Sequence, residues 1–230
     1  MRRVHFVGGE KGGVGKSVLS RLLSQYFLDN AMPFIGMDAD QSHATLTRSY
    51  GQSTRRIVLD DFEGADQIIE TVVEKDVDVL IDLPAQSERF LDLWMNENGV
   101  AELCEELNIE LLAWYVVDDG LDSLSLLKAF SQRYSDQLKC VVVKNLGRGS
   151  DFSKVDAFLT SDLTKATSIE LPCLHAATMR KIEHSSFSFW GAANIKEGEN
   201  HLGIMERQRV KVWLKKAYAA LNSALESKSV

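Results

Sequence analysis

The 230-residue sequence predicts an α/β protein: a doubly wound, mostly parallel sheet with helices on both faces, in one domain over residues 1–230. Three observations predict it. Short continuous runs rich in Val, Ile and Leu recur along the chain, as strands covered on both faces require. Segments with apolar residues at helical spacing separate these runs, and alternating strand and helix is the pattern of parallel βαβ units. The composition, 45% apolar and 26% charged, supplies a core and excludes a disordered chain.

The expected strands are Val4–Val7, Phe34–Met37, Val77–Leu83, Leu111–Val117 and Cys140–Val143. The clearest helix follows the first of them. It carries Leu19, Leu22, Leu23, Tyr26 and Phe27 at i, i+3, i+4, i+7 and i+8, one apolar face of a 3.6-residue period. Further helices are expected over Gly64–Lys75, Glu88–Leu107, Asp122–Tyr134 and Glu206–Leu225. Residues 185–203 combine Ser, Gly, Asn and charge without periodicity and read as a long loop. The last helix, over residues 204–226, is amphipathic and basic. Val210, Leu214, Ala217, Leu221 and Leu225 form an apolar stripe, and Arg207, Lys211 and Lys215 form a basic one. A docking helix with a solvated outer face is the plain reading. The sharper one is a contact for the DNA backbone through Arg207, Lys211 and Lys215. A membrane-surface helix is disfavoured, because only Trp213 and Tyr218 are expected as exposed bulky residues.

Several classes are excluded early. The longest fully apolar run, Leu111–Val117, is far short of the roughly 20 residues that span a bilayer. The first six residues lead into glycines and charge rather than a signal-peptide core, so a cytoplasmic location is expected and no stable membrane insertion. Cys104, Cys140 and Cys173 are too far apart for a C-x-x-C pair and read as small buried hydrophobes. The net charge of −7 means that any nucleic-acid surface is a local patch.

The chemistry lies directly after the first strand, in Gly8-Gly9-Glu10-Lys11-Gly12-Gly13-Val14-Gly15-Lys16-Ser17. Glycines let successive backbone N–H groups turn inward toward phosphate oxygens. The helix N-terminus behind them adds partial positive charge. Lys16 is placed to reach the β- and γ-phosphates of a nucleotide, and the Ser17 hydroxyl to ligate Mg²⁺. The loop departs from G-x-x-x-x-G-K-[ST] in one respect. Glu10 takes the first glycine position and a second lysine, Lys11, follows it.

A lysine at that place resembles the deviant Walker A loop of the ParA/MinD family of P-loop ATPases. Two further segments fit. Met37-Asp38-Ala39-Asp40-Gln41 resembles the family's first switch, without its usual proline, and Asp78–Ala85 resembles its second switch, with Asp82 ending the strand. Val141–Asn145 is similar to the strand whose asparagine touches the adenine. The resemblance covers roughly residues 4 to 175. It implies ATP and Mg²⁺ as cofactors, held by Gly12, Gly13, Val14, Gly15, Lys16, Ser17 and Val18, with Asn145 and Pro172 at the base. It implies Ser17, Asp40 and Asp82 around the metal, and Lys11, Lys16 and Asp40 as catalytic. Lys11 would act on the nucleotide of a second subunit in an ATP-closed homodimer, and Asp40 would orient the attacking water.

The implied function is slow, timed ATP hydrolysis that positions or segregates plasmid or chromosome DNA, or serves conjugative transfer. A small activating partner protein and non-specific DNA are the implied partners. Residues 81–87 and 114–117 also resemble a plasmid-transfer offshoot, the TraL-like and StbB-like ATPases. The competing readings are a metabolic ligase or amidase on the same fold, a MinD-like membrane-cycling ATPase, an iron protein of the nitrogenase-reductase type, and a scaffold that binds nucleotide without hydrolysis.

Overall fold

The structure is a computed structural model that describes residues 1–41, 43–134 and 136–226. Its most apolar strands end up in the middle of a seven-stranded sheet. In chain order the strands are β1 (Arg2–Gly8), β2 (Phe34–Asp38), β3 (Thr54–Arg56), β4 (Asp78–Asp82), β5 (Ile109–Val117), β6 (Lys139–Asn145) and β7 (Thr167–Leu171). They lie side by side as β3-β2-β4-β1-β5-β6-β7. Every pairing is parallel, with Val4 of β1 opposite both Val79 and Leu111.

The helices are α1 (Lys16–Asp29), α2 (Thr45–Tyr50), α3 (Phe62–Lys75), α4 (Glu88–Glu97), α5 (Val100–Glu106), α6 (Leu121–Tyr134), α7 (Ser153–Ser161), α8 (Ala176–His184), α9 (Phe189–Asn194) and α10 (Ile204–Leu225). Because side chains alternate along a strand, the sheet carries two cores. Val4 and Phe6 point into one, with Ile68, Trp94, Leu127 and Phe158. Val7 points into the other, with Leu22, Phe27, Ile182 and Trp213. This is the doubly wound α/β sheet expected from the alternation. The chain runs from β1 to β2 and β4 on one side, then crosses to β5, β6 and β7 on the other. A crevice therefore opens beyond the carboxyl ends of the central strands, where such folds bind ligands.

Several expectations need correction. The single helix expected over Glu88–Leu107 is two, α4 and α5, broken where the Asn98 side chain bonds back to the Trp94 carbonyl at 3.0 Å. Residues 185–203 are not all loop, because α9 lies inside them. Ser188 caps α9 by accepting the Gly191 N–H at 3.0 Å. Phe189 is fully buried, with the Arg21 guanidinium 4.8 Å above its ring. Trp213 is buried rather than exposed, its indole N–H donating to the Pro172 carbonyl at 2.6 Å. Tyr218 lies edge-on to Tyr26 and donates its hydroxyl to Asp29 at 2.7 Å. Cys104 and Cys140 are buried as expected, whereas Cys173 is exposed. Among the described residues no helix is long and apolar enough to cross a membrane.

Candidate functional site

The loop between β1 and α1 is wedged against the ends of β5 and β6. A Cβ on Gly9 would stand 2.8 Å from the Val116 carbonyl oxygen, so only glycine lets the loop lie that close. Gly15 has φ +110° and caps α1, and a Cβ there would meet the Asn145 amide at 2.3 Å. Asn145 is a loop clamp: its Nδ2 donates to the Val14 carbonyl at 2.6 Å, and its Oδ1 accepts the Gly147 N–H at 3.0 Å. Gly12 and Gly13 are open, with nothing within 4 Å of an added Cβ.

Lys16, the first residue of α1, is buried and curls back so that Nζ donates to the Lys11 carbonyl at 3.1 Å. Burial pushes its pKa down, against the pull of the Asp82, Glu10 and Asp40 carboxylates. Ser17 and Val18 follow on the first turn, half-buried.

Asp82 ends β4 and is buried. Its Oδ1 accepts the Ser20 hydroxyl at 2.8 Å, while Oδ2 is buried without a hydrogen-bond partner. Burial pushes this carboxyl up to about 7. The Ser20 and Ser17 hydroxyls oppose that rise, and the Asp38 and Asp40 carboxylates reinforce it. An orphaned carboxylate oxygen beside Ser17 fits a hydrated Mg²⁺, which keeps several waters and takes few protein ligands. Among the described residues no group of three His, Cys, Asp or Glu side chains forms a protein cage for a metal. Bound there with nucleotide, Mg²⁺ would neutralise phosphate charge. Ser17 would hold it directly and Asp82 through water.

Asp40 follows the end of β2, with its carboxylate on the His43 backbone N–H at 3.2 Å and near the His43 ring at 3.3 Å. Buried Asp38 braces the same turn. It accepts the Asp40 N–H at 3.2 Å and the Thr47 N–H at 2.9 Å. The turns after β2 and β4 are joined by the Ala39 N–H, which donates to the Asp82 carbonyl at 3.1 Å.

Lys11 points elsewhere. Its Nζ pairs with Asp118 at 2.8 Å, in the turn after β5. That hydrogen bond raises the lysine's pKa. Burial alone would raise the Asp118 carboxyl, but its bonds from Lys11 and Ser123 outweigh burial and hold it below the usual range. Pro172 lines a cavity of about 480 Å³ with Leu146, Cys173, His175 and Trp213, beside the Asn145 clamp. The structure thus brings together Lys16, Ser17, Asp40, Asp82 and Asn145, whereas Pro172 lines a cavity that contains no residue of the loop. Arg207, Lys211 and Lys215 lie apart on α10. Arg207 bonds the Leu202 carbonyl at 2.5 Å, and the two lysines are exposed.

Sequence reasoning missed Ser20, Asp38, His43 and Asp118 as neighbours of the site. Asp38 carried a local signal, as the first acid of D-x-D after a strand. Ser20 and Asp118 meet their partners only through long-range folding.

No protein-family model matches the chain. It is 25% identical to protein TraL of Escherichia coli over 238 aligned positions, covering 97% of this chain and 99% of TraL. It is 26% identical to protein MobD of Acidithiobacillus ferrooxidans over 132 positions, covering 56% of this chain and 57% of MobD. The septum site-determining protein MinD of Pyrococcus horikoshii, solved with Mg-ADP, superposes with a TM-score of 0.60 at 15% identity, covering 99% of both chains. The chain is thus similar in sequence to TraL and MobD, and its fold is that of MinD.

Proposed function

We propose that this protein is a Mg²⁺-dependent ATPase whose ATP-bound form closes as a homodimer and whose slow hydrolysis reopens it, timing a positioning step in conjugative DNA transfer or DNA partition. The observation that carries this reading is the divergence of the two loop lysines. Lys16 folds onto its own loop, and Lys11 turns out of the loop to Asp118. A lysine turned away from its own phosphate cradle is suited to a triphosphate brought in by a second subunit. There it would offset the repulsion between two triphosphates held face to face. Gly12, Gly13, Val14, Gly15, Lys16, Ser17 and Val18 bind the phosphates. Asn145 and Pro172 flank the base, and Asp40 orients the attacking water. A small activating partner sets the rate. The likeness to TraL supports transfer over chromosome partition.

The test is turnover of MgATP against MgGTP, combined with light scattering on a size-exclusion column. Wild-type protein should hydrolyse ATP slowly. Asp40→Ala should keep ATP affinity, lose about 100-fold or more in turnover, and accumulate as an ATP-bound dimer. A preference for GTP, or an ATP-saturated Asp40→Ala protein that stays monomeric, would overturn the proposal. A second surface is suggested by the exposed Lys211 and Lys215 on α10, the candidate contact for non-specific DNA together with Arg207. Loss of salt-sensitive binding to duplex DNA in Lys211→Glu/Lys215→Glu would assign it.

A further inference from the structure

Glu10 stands where the common phosphate-loop pattern has glycine, and its side chain reaches the second switch. Its Oε1 accepts the backbone N–H of Glu88, the first residue of α4, at 3.1 Å. Burial pushes the Glu10 carboxyl above its ordinary value, and the Glu88 and Ser87 N–H groups oppose that rise. Ser87 sits in the capping position of α4 but has helical backbone angles and makes no side-chain cap. The N-terminal amides of a helix need an acceptor, and a carboxylate there also meets the positive end of the helix dipole. Here the acceptor comes from a residue 78 positions earlier in the chain.

The turn before α4 is thus held at both ends by the first strand and its loop. At one end the Leu83 N–H donates to the Val7 carbonyl at 3.0 Å. At the other end is Glu10. Between them Gln86 has φ +63°, a conformation unfavourable to a side chain that is kept only when its surroundings impose it. The residue after Glu10 is Lys11, whose carbonyl receives Lys16 and whose side chain holds Asp118. The dipeptide Glu10–Lys11 therefore touches α4, the phosphate lysine and the turn after β5.

The Glu88 carboxylate lies beside Glu10, with Oε1 buried and without a hydrogen-bond partner and Oε2 3.7 Å from Arg133. The Tyr134 hydroxyl donates to the Glu88 carbonyl at 3.3 Å, and the Tyr115 hydroxyl is buried there without a partner.

We propose that Glu10 is a positioning residue that ties the phosphate loop to α4, so that the second switch and Lys11 move as one unit. The inference rests on the reading of this loop as the nucleotide site and of Lys11 as its cross-subunit lysine. A displacement of α4, whether by nucleotide or by a partner protein, then reaches Lys11 through the neighbouring residue rather than through the sheet.

The test uses the full chain with Glu10→Ala and Glu10→Gln. Hydrogen exchange of nucleotide-free protein comes first. The segment covering residues 84–92 should exchange about tenfold faster in Glu10→Ala and near the wild-type rate in Glu10→Gln, whose amide oxygen still accepts. A segment within α1, residues 19–27, should be unchanged in both, which separates loss of the tie from general unfolding. With MgATP, Glu10→Ala should keep its dissociation constant within about threefold while kcat falls about tenfold, and Glu10→Gln should recover most of kcat. Unchanged exchange over residues 84–92 in Glu10→Ala would overturn the tie. A loosened α4 with unaltered kcat would overturn its positioning role. A wild-type protein that binds no MgATP would instead defeat the nucleotide reading, and the exchange arm would still decide the tie.

Discussion

The side-chain amide of Asn145 donates to the backbone carbonyl of Val14 at 2.6 Å, so the end of β6 holds the phosphate loop by its main chain. The amide also blocks any side chain at Gly15. Asn145→Ala leaves the Val14 carbonyl unpaired and should cost roughly 1–3 kcal/mol in denaturant unfolding. Gly15→Ala should be worse for binding than for stability, because it displaces both Asn145 and the loop. Isothermal titration with MgATP checks this. Wild-type affinity in Gly15→Ala would mean that the loop does not hold phosphate in this conformation.

Lys16→Ala should abolish nucleotide binding, an affinity loss of about 100-fold or more. Lys16 is the ammonium that the fold buries inside the cradle, and loop amides alone do not neutralise a triphosphate. Titration with a fluorescent ATP analogue measures it.

Lys11→Gln should bind MgATP with nearly wild-type affinity yet stay monomeric and turn over about 100-fold more slowly. The glutamine cannot pair with Asp118 as an ion and brings no charge to a second subunit. Light scattering at saturating MgATP distinguishes the outcomes. An ATP-dependent dimer with wild-type turnover would remove the cross-subunit role.

Burial, reinforced by the neighbouring Glu10 carboxylate, raises the Glu88 carboxyl to about 7. The folded state thus holds its proton more tightly than the unfolded chain, where a glutamate titrates near 4.5. The stabilisation is complete below about 4.5 and is lost as pH rises through 7. The thermal midpoint of nucleotide-free protein should therefore fall between pH 5 and pH 8. Glu88→Gln should flatten that fall by roughly 1–2 kcal/mol, with Asp82 supplying a further part of the same sign. An identical pH slope in Glu88→Gln would show that the carboxyl is charged throughout.

The loop from Gly8 to Ser17, the alternation of strand and helix, and the acid ending β4 were all legible along the chain, because each is a local requirement. Phosphate cradles need glycines in consecutive positions, a strand covered on both faces needs an unbroken apolar run, and α1 needs its 3.6-residue period. The edge strands β3 and β7 carry no such run, since an edge strand is covered less completely and its sequence is correspondingly mixed. The short helix α9 was hidden for a related reason. Its place is set by Phe189 packing under Arg21 and against Trp213, contacts made by residues far away in sequence. The roles of Glu10, Asn145 and Asp118 were also decided only by the fold. Each depends on which strand end or helix start arrives beside the loop, 78 residues away for Glu88 and 131 for the Asn145–Val14 bond, and no periodicity within a segment records that arrival.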